Sequence, residues 1–176
     1  MTPERLRKYH AGDHETFNRI MEEFQEPIFY FVLRLVGNSA DAEDLTQETF
    51  VKAYTERKKF RGDSAINTWI YRIAANLAKN HLRWRALRNF VSLDSVFAEV
   101  LNVREDNSSE EIAERESELL IHLQELSPKQ RSVFILRYFN ELSHKEIAQI
   151  MNMSESSSKT NFHYAVTALK EMVQGS

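Results

Sequence analysis

Apolar residues in this 176-residue chain recur at helical rather than alternating spacing. Phe17, Ile20, Met21, Phe24, Ile28, Phe31, Val32 and Leu35 fall three or four apart, which puts them on one face of a helix over 15–36. Pro27 has no N–H to give the helical ladder and is expected to kink or interrupt it, and Gly37 to close it. A second helix is predicted in SADAEDLTQETFVKAYTER, with Ser39 as N-cap and acids in the first turn, where the helix dipole favours them. A third begins after FRGDS, with Ile66, Trp69, Ile70, Ile73 and Leu77 as its buried stripe.

Periodicity then fades. Residues 89–112, NFVSLDSVFAEVLNVREDNSSEEI, read as an acidic linker, although Phe90, Val91, Leu93, Val96, Phe97 and Leu101 give it surface with which to dock. Beyond it the punctuation is sharp. Ser127-Pro128-Lys129-Gln130 and Ser143-His144-Lys145-Glu146 both have the form of capping boxes. Between them RSVFILRYF is predicted as a buried helix, and Ile147, Ala148, Ile150 and Met151 make a short apolar helix that turns at Asn152-Met153. Ser154 then caps a helix packed through Phe162, Ala165, Leu169 and Met172, so SESSSKTNFHYA opens a helix and is not a flexible tether. A short capped helix, a tight turn and a second helix are the parts of a helix-turn-helix, whose second helix enters the major groove by its N-terminal end. The pattern predicts an all-α protein of two small domains, 1–88 and 113–176, joined by the linker.

Composition narrows the chemistry. Four Gly and three Pro are too few for a turn-rich β protein, and the absence of Cys excludes disulfides, thiolate metal sites and cysteine catalysis. The longest apolar run, Ile28 to Leu33, is far below the ~20 residues of a membrane span, and the N-terminus has no apolar signal core, so a cytoplasmic protein without membrane insertion is expected. A net charge of −3 conceals a division. From 57 to 88 the cations at 57, 58, 59, 61, 72, 79, 83, 85 and 88 face Asp63 alone, whereas acids dominate 99–118. A basic block of this kind suits a polyanion.

Within that block Arg72, Asn76, Lys79, Asn80 and Arg83 share one helix face, opposite Trp69, Ile73 and Leu77. Cations there can neutralise phosphates and amides can pair with base edges. A solvated surface normally mixes both signs, and this one does not. Trp69 lies on the apolar stripe and is assigned to the core. The histidines are scattered, and although His10 and His14 are four apart, no HExxH pattern completes a metal site. Asp41, Glu43, Asp44 and Glu48 sit where a helix start favours acids. No phosphate-binding glycine loop or nucleophile elbow is present, so neither an enzyme nor a cofactor is predicted.

The motifs DAEDLTQETFVKAY (41–54), FRGDSAINTWIYRIAANLAKNHLRWR (60–85) and LSPKQRSVFILRYFNELSHKEIAQIMNMSESSSKTNFHYAVTALK (126–170) resemble, in order and spacing, the extracytoplasmic-function group of bacterial sigma factors. The resemblance implies an N-terminal domain that binds core RNA polymerase and opens promoter DNA at the minus-ten element, and a C-terminal domain that reads the minus-thirty-five element. It implies polymerase contact through Asp44, Leu45, Gln47, Glu48 and Phe50. Melted DNA and a flipped base would be held by Lys52, Phe60, Arg61, Arg72, Ile73, Asn76, Lys79, Asn80 and Arg83. The upstream element would be read by Ser156, Ser157, Lys159, Thr160, Asn161, His163 and Tyr164, and an anti-sigma factor is the implied regulator. The family's second C-terminal helix usually reads like GTVKSRLHRAR, but SSSKTNFHYAV keeps only Lys159 and His163 of its basic positions. Two other readings use the same residues: a helix-turn-helix regulator acting without polymerase, and a helical hydrolase or metal protein built on His10, His14 and the 41–48 acids.

Overall fold

The computed structural model describes residues 1–88 and 119–175. Every regular element in them is helical: α1 (Pro3–Ala11), α2 (His14–Val36), α3 (Ser39–Thr55), a 3₁₀ turn (Arg57–Lys59), α4 (Ile66–Arg88), α5 (119–125), α6 (Pro128–Tyr138), α7 (His144–Met151) and α8 (Glu155–Gly175). Local chemistry sets the boundaries. Thr2 and Asp13 accept hydrogen bonds from the Arg5 and Thr16 N–H groups at the starts of α1 and α2. Between the two helices Gly12 takes a left-handed conformation (φ 81°), where a Cβ would lie 3.0 Å from the Arg57 guanidinium.

Three local expectations need correction. α2 continues through Pro27 without interruption. The N-cap of α3 is Asn38 rather than Ser39, because the extended backbone at Asn38 lets its Oδ1 accept the Asp41 N–H at 2.8 Å. The capping box at Ser143/Glu146 is complete. At Ser127 only half of one forms: the Ser127 hydroxyl receives the Gln130 N–H but bonds the Gln130 side chain in return, leaving its own N–H out of the exchange.

The N-terminal half gathers α1–α4 around Tyr9, Ile20, Phe31, Phe60 and Ile70; the C-terminal half packs α6, α7 and α8 around Val133, Ile135, Leu136, Ile147, Ala165 and Leu169. Burial on α4 spans a wider arc than its expected stripe. Ile70 and Leu77 are buried, while Ile66, Trp69 and Ile73 are only half-buried; Tyr71, Ala74, Ala75 and Ala78 are buried as well. The cause is that α4 packs against α7 of the other half in addition to α2 and α3, and small alanines let helices approach closely.

The two halves meet at the C-terminal end of α2. The Gly37 N–H reaches back to the Leu33 carbonyl at 2.8 Å. The three carbonyls that follow lie beyond the helix's own donors. Arg34 O accepts from Gln124 Nε2 at 3.1 Å, Leu35 O from Arg131 Nη1 at 3.0 Å, and Val36 O from Arg85 Nη1 at 3.1 Å. Arg131 is only 8% exposed and also donates to the Gln124 side chain and to the carbonyls of Gln124 and Leu126. Burial draws its guanidinium down to about 10, still far enough above neutrality to keep it charged. Arg34 lies over the Phe139 ring at 4.1 Å, Asn140 donates to the Tyr71 hydroxyl at 2.9 Å, and Arg72 Nε donates to Gln149 O at 3.0 Å.

Arg131→Met keeps the bulk of the side chain but leaves the Leu35 and Gln124 carbonyls without this donor, at about 1–3 kcal/mol for each buried group. Urea unfolding is expected to show a loss of about 2–6 kcal/mol on that basis; an unchanged midpoint would contradict the clasp. Tyr71 gives a pH-dependent test. Burial pushes its phenol up to about 12, from an ordinary value near 10. A raised folded-state value contributes stability that is full below pH 10 and is lost as pH climbs toward 12. Tyr71→Phe should be less stable than wild type by about 1 kcal/mol at pH 8, for want of the Asn140 bond, and the gap should narrow by pH 11. The lowered Arg131 value acts oppositely in that window but is common to both proteins. A gap independent of pH would refute the assignment.

Candidate functional surfaces

On α3, Asp44, Gln47 and Glu48 are exposed, whereas Leu45 and Phe50 are buried in the core beneath them. Leu45 and Phe50 therefore lie beneath the exposed face rather than on it. Spacing selects the replacement: Val51 follows Asp44, Gln47 and Glu48 at the next helical turn and is 60% exposed. An isolated valine in that position gives an otherwise acidic and polar face an apolar centre. Lys52 pairs with Glu48 at 3.3 Å, which ties it to this face.

The loop after α3 carries Arg57, Lys58, Lys59 and Arg61. Arg61 is exposed. Phe60 is not: it is 2% exposed, with its ring centroid 6.3 Å from Tyr9 and 5.3 Å from Trp69. It anchors the loop from below and offers no face to a base. Along α4, Asn76, Lys79, Asn80 and Arg83 are exposed at the offsets of a single face. Ile73 is half-buried against the core, and Arg72 is half-buried with its Nε given to α7. The strip thus runs from Asn76 toward the C-terminus, and there it meets Trp84, 65% exposed and one turn beyond Asn80. Sequence reading passed over Trp84, although its offset of four from Asn80 and eight from Asn76 was the available signal. Between this strip and the C-terminal half lies a cleft of about 840 Å³ lined by Arg72, Asn76, Lys79, Lys145 and Glu155.

α8 begins at Ser154, whose hydroxyl accepts the Ser157 N–H at 3.0 Å. Ser156, Lys159, Thr160, His163 and Tyr164 are exposed. Ser157 and Asn161 are half-buried and mutually engaged: Asn161 Nδ2 donates to Ser157 O at 2.7 Å, and Lys129 of α6 reaches the Ser157 hydroxyl at 3.5 Å. Ser158 is wholly buried and bonded to His144 Nδ1 at 3.0 Å, which fixes α8 on α7. The cation of this face is partly spent, since Lys159 Nζ lies 2.7 Å from Glu155 Oε1. That hydrogen bond and charge hold the Glu155 carboxyl below the usual carboxylate range.

His10 and His14 find separate partners, the Phe60 carbonyl at 2.7 Å and the Tyr54 ring. Asp41 of the 41–48 acids bonds His81 at 3.1 Å and so ties α3 to α4. Among the described residues no group of three His, Asp or Glu side chains could hold a metal ion, and no helix is long and apolar enough to cross a membrane.

Residues 20–88 match the family model for sigma-70 region 2, and residues 122–169 that for sigma-70 region 4. The chain is 34% identical to the ECF RNA polymerase sigma-E factor of Escherichia coli strain K12 over 97% of its length and 92% of the relative's. The chain belongs to the extracytoplasmic-function sigma factors. It is also 33% identical to the RNA polymerase sigma-H factor of Pseudomonas aeruginosa, across 96% of the chain and 92% of that protein. Among solved structures, CnrH in complex with the cytosolic domain of CnrY superposes with a TM-score of 0.75 at 17% identity, covering 97% of this chain and 96% of that one. RpoE of Bartonella quintana, in complex with the anti-sigma factor NepR, gives 0.72 at 20% identity over 90% and 96%. At those identities the structures bear on the fold alone. In this sigma factor the region 2 match contains α3, the loop and α4, the region 4 match contains α6 and α7 with most of α8, and α1 lies ahead of both.

The Glu155–Lys159 pair makes a prediction about the α8 face. Replacing Glu155 by Gln removes an anion from the N-terminal end of α8 and releases Lys159. Duplex affinity of the full chain should rise for every sequence, and its salt dependence should steepen by ~0.9 log units per log unit of salt, the value for one added phosphate contact. Fluorescence titrations at several salt concentrations measure both. An unaltered slope would show that this end of α8 stands away from phosphate.

Proposed function

We propose that this sigma factor acts as a non-catalytic promoter-specificity subunit in the cytoplasm, and that its three surfaces divide the work. Asp44, Gln47, Glu48 and Val51 dock core RNA polymerase. The 57–65 loop and the strip Asn76, Lys79, Asn80, Arg83 and Trp84 hold the melted minus-ten strand. The exposed side of α8 (Ser156, Lys159, Thr160, His163 and Tyr164) reads the minus-thirty-five duplex. On this reading residues 1–88 serve polymerase and the minus-ten element, 113–176 the upstream element, and 89–112 connect them, a segment that lies wholly outside the described residues.

The observation that carries the reading is the acid-free strip on α4. Two amides and two cations at helical offsets end in an exposed indole. Cations suit phosphates, amides suit the edges of unpaired bases, and the indole is a platform on which a base can stack at about 1–3 kcal/mol. Extruding a base costs a few kcal/mol, an amount that contacts of this kind can offset. RpoE of Bartonella quintana was solved with an anti-sigma factor, and a partner of that kind is proposed for this chain as well.

Transcription reconstituted with bacterial core polymerase and a promoter library tests the reading as a whole. Val51→Asp places a charge at the centre of the α3 face and should weaken core binding at least tenfold without altering the circular dichroism spectrum. Asn80→Ala should leave core binding intact and lower permanganate reactivity of unpaired thymines by about fivefold, as expected from one lost hydrogen bond of ~1 kcal/mol. Full core affinity in the first variant, or full opening in the second, would remove that surface from the scheme.

A further inference from the structure

The first helix, α1, belongs to neither matched family segment, yet its side chains reach the loop that follows α3. That loop is hard to hold. Four cations crowd into 57–61, and the backbone bonds that order it are short-range, Lys59 N–H to Glu56 O at 2.8 Å and Phe60 N–H to Arg57 O at 3.2 Å. Like charges at such spacing repel and favour spread conformations. Lys59 is paired locally with Glu56 at 3.2 Å and Arg57 Nη1 donates to Tyr54 O at 2.8 Å, but the long-range fixed points come from α1 and its cap. His10 Nε2 bonds the Phe60 carbonyl at 2.7 Å, and because a carbonyl can only accept, this nitrogen carries the proton. Tyr9, itself pinned by its hydroxyl to Ala53 O, sets its ring edge-on to Phe60 and Trp69. Leu6 lies against Gly62, where a Cβ would meet it at 3.0 Å, and Gly12 leaves room for the Arg57 guanidinium, which lies 4.5 Å over the Tyr54 ring.

We propose that α1 positions the promoter-strand loop, with His10 as its principal positioning residue: the Tyr9 ring fixes Phe60 from below while His10 fixes the Phe60 backbone, so that Arg61 is presented in one place. This rests on the reading of 57–65 as a strand-holding loop. A helix that merely stabilised the domain would act on stability and polymerase binding together. A positioning helix acts on the loop and on opening.

The test uses the full chain in holoenzyme with three variants: His10→Ala, His10→Gln and Arg61→Ala. A glutamine Nε2 can donate to the Phe60 carbonyl in place of the imidazole. In His10→Ala, amide hydrogen exchange over 57–63 should quicken about fivefold, the equivalent of one lost hydrogen bond, and promoter opening by permanganate reactivity should fall by a similar factor. Core-polymerase affinity should stay at the wild-type value, and His10→Gln should restore both exchange and opening. Wild-type opening by His10→Ala while Arg61→Ala is impaired overturns the proposal, as does failure of glutamine to rescue, or a parallel loss of melting temperature and polymerase affinity. Wild-type opening by Arg61→Ala removes the reading of the loop itself, and the proposal falls with it.

Discussion

Where a helix ends, its last carbonyls have no partners, and in α2 that shortage organises the whole molecule. A buried carbonyl without a donor is costly. The Arg34, Leu35 and Val36 carbonyls are supplied by Gln124, Arg131 and Arg85, which come from three other helices. Two of the donors are cations, at the end of the helix where the macrodipole is negative. Arg85 fixes the far part of α4 onto α2, while Gln124 and Arg131 bring α5 and α6 to the same spot. Once α6 is placed, α7 and α8 follow through the C-terminal core. The position of α8 relative to the α4 strip is thus set by the last turn of α2.

The charged surfaces differ in how their charges are balanced. The α4 strip holds Lys79 and Arg83 among amides with no acid inside it, although Glu155 lines the cleft that Asn76 and Lys79 share with the C-terminal half. The α8 face sets Glu155 against Lys159, so hydroxyls, an imidazole and a phenol are its main polar equipment. Phosphate attraction supplies affinity without sequence information, and base-edge contacts supply information with less affinity. By that division the surface proposed on α4 is the better equipped for phosphate attraction, and the one proposed on α8 for base-edge contacts.

Sequence periodicity located α2, α3, α4 and the helix-turn-helix, because each carries an apolar stripe and most have a polar cap at the start. It misjudged features that depend on which part of a wide face is covered. Leu45 and Phe50 sit within a motif of exposed residues, yet an apolar side chain inside a functional motif most often supports it, and both are buried. Val51 and Trp84 look like core residues by type, although their helical offsets from polar neighbours place them on the exposed faces. Phe60 was placed with the loop it belongs to, although its ring turns inward to Tyr9, 51 positions earlier by number. The breadth of burial on α4 was invisible for a related reason: Ala74, Ala75 and Ala78 face elements whose docking no local period can reveal. Nothing in the spacing of Arg131, between Gln130 and Ser132, announced a bond to Leu35.

The clasp on α2 also has an evolutionary consequence. Its acceptors are main-chain oxygens, which every residue type provides, and its donors are three side chains. Substitutions at 34–36 leave the acceptors in place, so drift on that side of the joint is tolerated as far as packing allows. Drift at 85, 124 and 131 is not, and no second change across the joint can compensate for it. In a set of homologues these three bonds would therefore leave no paired substitutions, constancy at the donor standing opposite free variation, whereas the side-chain pairs beside them, Asn140 with Tyr71 and Arg34 with Phe139, would vary together.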